Sequence, residues 1–190
     1  MKVLSRFVAL SAMLLLPSTL AAQFTLEARF TSRLAPGPHA LGFRVVEQYD
    51  GSRVAADAAE FASNPDGYVR GRPMQTLIWY PAKPARGAAE MRFRDYGTLF
   101  TPDGAFAEHN EAGRNTAVAG LLAYLQRPVS MAPSIERELE TPVRAFHGAA
   151  PRQGRFPVVV YSPGSNSPGF QNELLGEYLA SQGYIVVASP

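Results

Sequence analysis

The sequence predicts an α/β fold in which antiparallel first strands are followed by a parallel strand–helix–strand unit. Three observations point there. Phe156-Pro157-Val158-Val159-Val160-Tyr161 is an unbroken apolar, β-branched run, and such runs form parallel strands buried on both faces. Tyr184-Ile185-Val186-Val187-Ala188 is a second run of the same kind. Between them lie a polar loop, Ser162-Pro163-Gly164-Ser165-Asn166, and a helical stretch that Gly183 closes, glycine being suited to the position after a helix. A crossover of this length joins parallel strands with right-handed sense.

Within that crossover the helix is expected to begin between Ser167 and Asn172, with Ser167 as a cap and Pro168 at the first position. Phe170, Leu174, Leu175, Tyr178 and Leu179 form its expected apolar stripe. Upstream, Gly42 to Tyr49 reads as a strand ended by the turn dipeptide Asp50-Gly51. Gln75 to Tyr80 reads as a second strand, cut off by Pro81. The stretch from Ala82 to Gly113, with Pro84, Gly87, Gly97, Pro102 and Gly104 as breakers, is expected to be loop-rich. In Asn115–Arg127, Val118, Leu121, Leu122 and Leu125 share one helical face. Ser134 to Glu140 is a shorter helix candidate, so a helical insertion is expected near residues 114–141.

The first residues follow the order of a secretory signal peptide. Lys2 and Arg6 supply the positive start, Phe7 to Leu16 the apolar run, and Ala21 and Ala22 the small residues of a cleavage site. Residues 1–22 are therefore expected to be a cleaved signal, with 23–190 a partial domain exported to the periplasm or beyond the cell. Without Lys2 and Arg6 the 18 Lys+Arg fall to 16 and balance the 16 Asp+Glu. No run of like charge remains, so nucleic acid is not an expected partner. No later stretch is long and apolar enough to span a membrane, and the absence of cysteine excludes disulfides.

In a parallel sheet, ligands bind beyond the carboxyl ends of the strands. The loop from Ser162 to Ser167 occupies such an end, where backbone N–H groups can point at an anion or a developing oxyanion. Gly164 permits close approach of a ligand to the backbone. The hydroxyls of Ser162, Ser165 and Ser167 are better explained by loop polarity and capping than by nucleophilic chemistry, since none has a base in the expected order. Glu108-His109-x-Glu111 is too sparse for a metal site, and no metal or organic cofactor is expected. Trp79 and Tyr80 are assigned to strand packing.

The stretch FPVVVYSPGSNSPGFQNELLGEYLASQGYIVVASP resembles the third strand, oxyanion loop, first helix and fourth strand of α/β-hydrolases. Secreted dienelactone-hydrolase-like and platelet-activating-factor-acetylhydrolase-like esterases are the members it resembles most. QTLIWYPA and GFRVVEQYDGSR resemble their second and first strands. The resemblance runs from Pro38 onward and is vaguest between Ala82 and Gly154. It implies the N-terminal half of an α/β-hydrolase fold, with strand order 1-2-4-3 and an incomplete sheet. It implies a serine hydrolase of ester or lactone bonds, with a small-molecule ester as substrate. It also implies that the Ser165 backbone N–H is one oxyanion-hole donor. The family's His-Gly pair is here Pro163-Gly164, so any side-chain role of that His is lost.

The nucleophile elbow of the family, G-x-S-x-G, occurs nowhere in the chain, and the acid and histidine should follow it. His39, His109 and His147 all precede the place where a nucleophile would stand. No catalytic residue is therefore expected in this chain, which should be inactive alone, as a fragment. The competing expectation is a non-catalytic exported binding module of hydrolase ancestry.

Overall fold

The computed structural model describes residues 34–54, 71–100, 106, 109–126, 137–165 and 167–189. The expected signal peptide, and the first residues of the Ser134–Glu140 helix candidate, lie outside the described residues.

The pairing capacity of the two β-branched runs organises the fold. Strand β5 (Val158–Tyr161) lies parallel to β6 (Ile185–Ala188), with Val158 opposite Ile185 and Tyr161 opposite Ala188. Strand β6 runs antiparallel to β2 (Gly71–Lys83), and β2 runs antiparallel to β1 (Ala40–Val54). Two short strands complete the sheet. β3 (Ala145–His147) lies parallel to β1, and β4 (Ala150–Pro151) pairs with the end of β2. The order is β3-β1-β2-β6-β5, with β4 beside β2. The expected order of the four main strands is the one observed.

Both early strands outrun their expected ends. β1 passes through Asp50-Gly51, where the register shifts between Asp50 and Val54. Asp50 Oδ1 accepts from the Ser52 N–H at 2.9 Å and from the Ser52 hydroxyl at 2.6 Å. The expected turn is therefore a bulge, because the opposite strand continues to Gly71 and keeps offering partners. β2 in turn holds Pro73 and Pro81. The Pro81 carbonyl accepts from Arg152 N at 2.9 Å. A residue's N and C=O leave a strand on the same side, so the missing N–H of Pro81 faces the β4 side. That is beyond the point where β6 pairing, Leu77 to Trp79, has ended, and no ladder bond is lost.

Three helices are described from end to end: α1 (Phe93–Gly97), α2 (Glu111–Gln126) and α3 (Glu173–Ser181); residues 137–139 are helical too, within the expected Ser134–Glu140 candidate. α1 falls in the stretch expected to be loop. It starts with a capping exchange in which Asp95 Oδ2 accepts from Arg92 N at 2.7 Å. α2 starts four residues before the expected Asn115, where Asn110 Oδ1 accepts from Gly113 N at 2.7 Å. Its Val118 and Leu121 are buried, and Leu122 and Leu125 pack against the core, as their spacing predicts. Gly183 stands just beyond α3 with φ +98°, a conformation that glycine enters without strain.

Side chains from all three helices join one cluster with Leu41 and Phe43 of β1, Leu77 and Trp79 of β2, and Val186 and Ala188 of β6. Among the described residues, the opposite face of the sheet carries a small cluster around Tyr80, Ala82 and Ala149. The segment before β1 is sealed onto the far end of α3, where Gly37 N donates to Ser181 Oγ at 2.9 Å and His39 N to the Ser181 carbonyl at 3.1 Å.

β5 departs from the expectation of a strand buried on both faces. Val159 and Tyr161 pack toward the helices. Val158 and Val160 alternate onto the thinly covered face and are 58% and 76% exposed. β5 is also the edge of the sheet among the described residues. An apolar, uncharged edge invites pairing with another chain. Replacing both valines (Val158→Lys with Val160→Lys) should lower light scattering at a given concentration. The same change should alter unfolding free energy by no more than about 1 kcal/mol, since both positions face solvent.

Candidate functional site

The loop after β5 is organised by the side chains that follow it. Gln171 Oε1 accepts from Gly164 N at 3.4 Å and lies 3.5 Å from the Tyr161 hydroxyl. Asn172 Nδ2 donates to the Tyr161 hydroxyl. Ser167 N donates to the Gly164 carbonyl at 3.0 Å, and Gln171 N to the Pro168 carbonyl at 2.9 Å. Residues 167–172 thus form turns, and α3 begins at Glu173 with Asn172 at its cap. The expected Ser167 cap and Pro168 first position are displaced by these turns.

Ser162, Gly164 and Ser165 are exposed at the carboxyl end of β5, while Pro163 and Ser167 are half-buried. Gly164 N–H is engaged by Gln171. No hydrogen bond engages Ser165 N–H among the described residues. Of the two neighbouring backbone N–H groups, Gly164's is thus taken up within the loop. A Cβ on Gly164 would meet Ser167 Oγ at 3.3 Å, so the glycine also serves the close turn.

α3 is turned differently from expectation. Its buried residues are Glu173, Gly176, Glu177, Ala180 and Ser181, while Leu175 is 47% exposed. The sheet beneath explains this. Gly176 lies on the indole of Trp79, where a Cβ would come within 3.0 Å of the ring. Only a glycine allows the helix so close, and the residues flanking that contact are carboxylates and small side chains rather than leucines.

The Glu177 carboxyl is held by a buried relay. Trp79 Nε1 donates to the Tyr96 hydroxyl at 2.7 Å. Tyr96 donates to Glu177 Oε1 at 2.8 Å, and Arg144 N donates to Glu177 Oε2 at 3.1 Å. Burial pushes the Glu177 carboxyl above its ordinary value, against the pull of Tyr96 and Arg144, and the charge of Glu90 adds to the rise. Burial likewise pushes the Tyr96 hydroxyl well above the usual phenol value, with Glu177 reinforcing it. Glu173 rises to about 8, chiefly through burial; a backbone hydrogen bond opposes the rise and the Glu177 charge adds to it.

The other residues considered in the sequence fall elsewhere. Trp79 and Tyr80 are buried in the sheet, as assigned. His109 Nε2 stands 3.2 Å from Glu47 Oε2. His109 and His147 line a cavity of about 770 Å³ with Phe43, Glu47, Met91 and Arg114. The cavity is floored by apolar side chains and walled by charges of both signs, and residues 162–167 do not line it. Among the described residues no group of three His, Cys, Asp or Glu could hold a metal ion. No described helix is long and apolar enough to cross a membrane.

Among the described residues the fold is thus a mixed α/β arrangement with an open six-stranded sheet and helices packed on one face. No protein-family model matches the chain, and no curated protein matches it. Among solved structures, a ferulic acid esterase from Streptomyces cinnamoneus is similar over 82% of this chain and 35% of that chain, at 23% identity and a TM-score of 0.48. The chain spans about a third of that esterase. The likeness is coarse, and the chemistry here rests on the chain's own residues.

Glu173 gives the site a pH signature. Its carboxyl titrates near 4.5 when unfolded and at about 8 when folded, so the folded state holds a proton that the unfolded chain releases. Stability from this group is complete below 4.5 and is lost as pH rises to about 8. Chemical denaturation across that range should show wild-type unfolding free energy falling by on the order of 3 to 5 kcal/mol. Glu173→Gln should flatten most of the slope, leaving a residue in the same direction from Glu177. A wild-type profile level from acid to alkaline pH would contradict this.

Proposed function

We propose that the chain is the N-terminal part of an exported serine hydrolase of the α/β-hydrolase type, acting on carboxylic ester or lactone bonds. The observation that carries the reading is the uncommitted Ser165 N–H at the carboxyl end of β5, in a parallel β5–loop–α3–β6 unit. That is the position and backbone chemistry an oxyanion donor needs. The sheet order β1-β2-β6-β5 supports it.

The nucleophilic serine, its histidine and the supporting acid would come from polypeptide outside these 190 residues. The missing G-x-S-x-G pattern and the thinly covered sheet face both support this. The serine oxygen would attack the ester carbonyl while histidine takes its proton. Ser165 N–H would donate to the oxygen that becomes negative. Histidine would return the proton to the departing alcohol, and water would then release the acid from the acyl-enzyme. The Pro163 side chain offers no donor, so any side-chain contribution from that position is lost.

A second reading, a non-catalytic exported binding module, draws on the cavity beside β1 and β3, which lies apart from the loop.

The test compares the 190-residue chain with the product of the same reading frame extended downstream. The chain alone should hydrolyse no p-nitrophenyl ester; the extended protein should. In the extended protein, Ser165→Pro deletes the N–H and should lower kcat by about 100- to 1,000-fold. Ser165→Ala keeps the N–H and should leave kcat within about threefold of wild type. Equal activity of the two variants would remove Ser165 from the mechanism. An inactive extended protein, or one with no further serine hydrolase elements, would favour the binding module.

A further inference from the structure

α3 follows the loop closely, and among the described residues the loop's side-chain ties run to Gln171 and Asn172, just ahead of the helix. Where α3 sits therefore decides where Ser165 sits. Its apolar residues hold it only in part: Ala180 is buried in the core and Leu179 packs against it, but Leu175 is exposed and the rest of the buried face is Glu173, Gly176, Glu177 and Ser181. At its far end Ser181 takes bonds from Gly37 and His39; nearer the loop, the bonds that reach that face from other elements meet at the Glu177 carboxyl. One oxygen takes the Tyr96 hydroxyl and the other takes the Arg144 N–H. Tyr96 belongs to α1 and is itself bonded to Trp79 of β2, while Arg144 leads into β3.

We propose that Glu177 is the positioning residue of the oxyanion loop: its carboxyl pins α3 to α1, β2 and the entry of β3, and so sets the place of the Ser165 N–H. The role at Ser165 rests on the hydrolase reading; the pinning of the loop does not. A carboxylate accepts from both donors at once, whereas a carboxylic acid must spend one oxygen as a donor. The pin therefore changes with protonation. The charged or titratable groups that face it are Tyr96 from α1, Arg144 ahead of β3, Glu90 ahead of α1, and Glu173 one turn back on α3. Arg144 favours the ionised carboxyl, while Glu90 opposes it.

The relay carries its own optical reporter, because Trp79 is the chain's one tryptophan. The first measurement needs no substitution. Trp79 emission from the 190-residue chain is followed from acid to alkaline pH, and it should shift in a transition that Glu177→Gln removes and Glu173→Gln retains.

The second measurement is hydrogen exchange by the amides of Ser167, Gln171 and Gly176, all hydrogen-bonded in the wild type. In Glu177→Met these should exchange about tenfold faster, while amides of the β1–β2 pair change by less than about twofold. Glu177→Gln keeps one acceptor and should fall between. If Glu177→Met does not fold, Glu177→Gln and the wild-type titration still decide.

Unchanged loop exchange would overturn the proposal. So would equal acceleration in the loop and the β1–β2 pair, which would mark Glu177 as general packing. If the loop loosens as expected while Ser165→Pro leaves the extended protein fully active, the hydrolase reading fails and the pin stands.

Discussion

One buried carboxyl determines how the layers of this protein meet. Glu177 receives hydrogen bonds from the α1 tyrosine and from the chain entering β3, and through Tyr96 it reaches the β2 tryptophan. Taking such a group out of water is expensive, and the donors around it recover only part of the cost. The arrangement is tolerated because Gly176 lets the helix lie on Trp79, which brings the Glu177 carboxyl within reach of fixed partners. A larger residue at 176 would lift α3, and the relay would lose its geometry. Packing and polarity are here one constraint.

The strand–helix–strand unit was legible because its evidence is local: β-branched runs of four residues bounded by a polar loop and a glycine. The order of the main strands was legible only through the resemblance, since no periodicity reveals which strand neighbours which. α1 was missed although Phe93, Tyr96 and Phe100, all buried, mark one helical face. Gly97 and Pro102 drew attention to breaks instead. The turn at Asp50-Gly51 was misjudged because a strong local preference yielded to an opposite strand that continued past it.

The face of α3 was the deepest failure. A helix bearing four leucine-class and tyrosine side chains is expected to bury them. The buried side instead follows from a tryptophan nearly a hundred residues upstream and from a tyrosine in a helix not foreseen. Such contacts are written in pairs of distant residues, and no window along the chain contains both. The loop itself was placed correctly at a strand's carboxyl end, and the division of labour between Gly164 and Ser165 emerges only from the position of Gln171. The apolar surfaces left over, Val158 and Val160 on β5 and Leu175 on α3, lie on the sheet's other side and the helix's outer side. The described layers therefore supply one half of a sandwich around the parallel strands, which ordinarily receive cover from both directions.

The seal between Gly37 and Ser181 bridges 144 positions. A Cβ at residue 37 would stand 2.1 Å from the Ser181 carbonyl oxygen, so the joint admits no bulk and closes only when the helix is already in place. During synthesis, the entrance to the first strand must wait until residue 181 has emerged. The hairpin of β1 and β2 can zip early from local contacts, but the knot that fastens its leading end is tied only once α3 has formed. Long-range closures of this kind slow maturation.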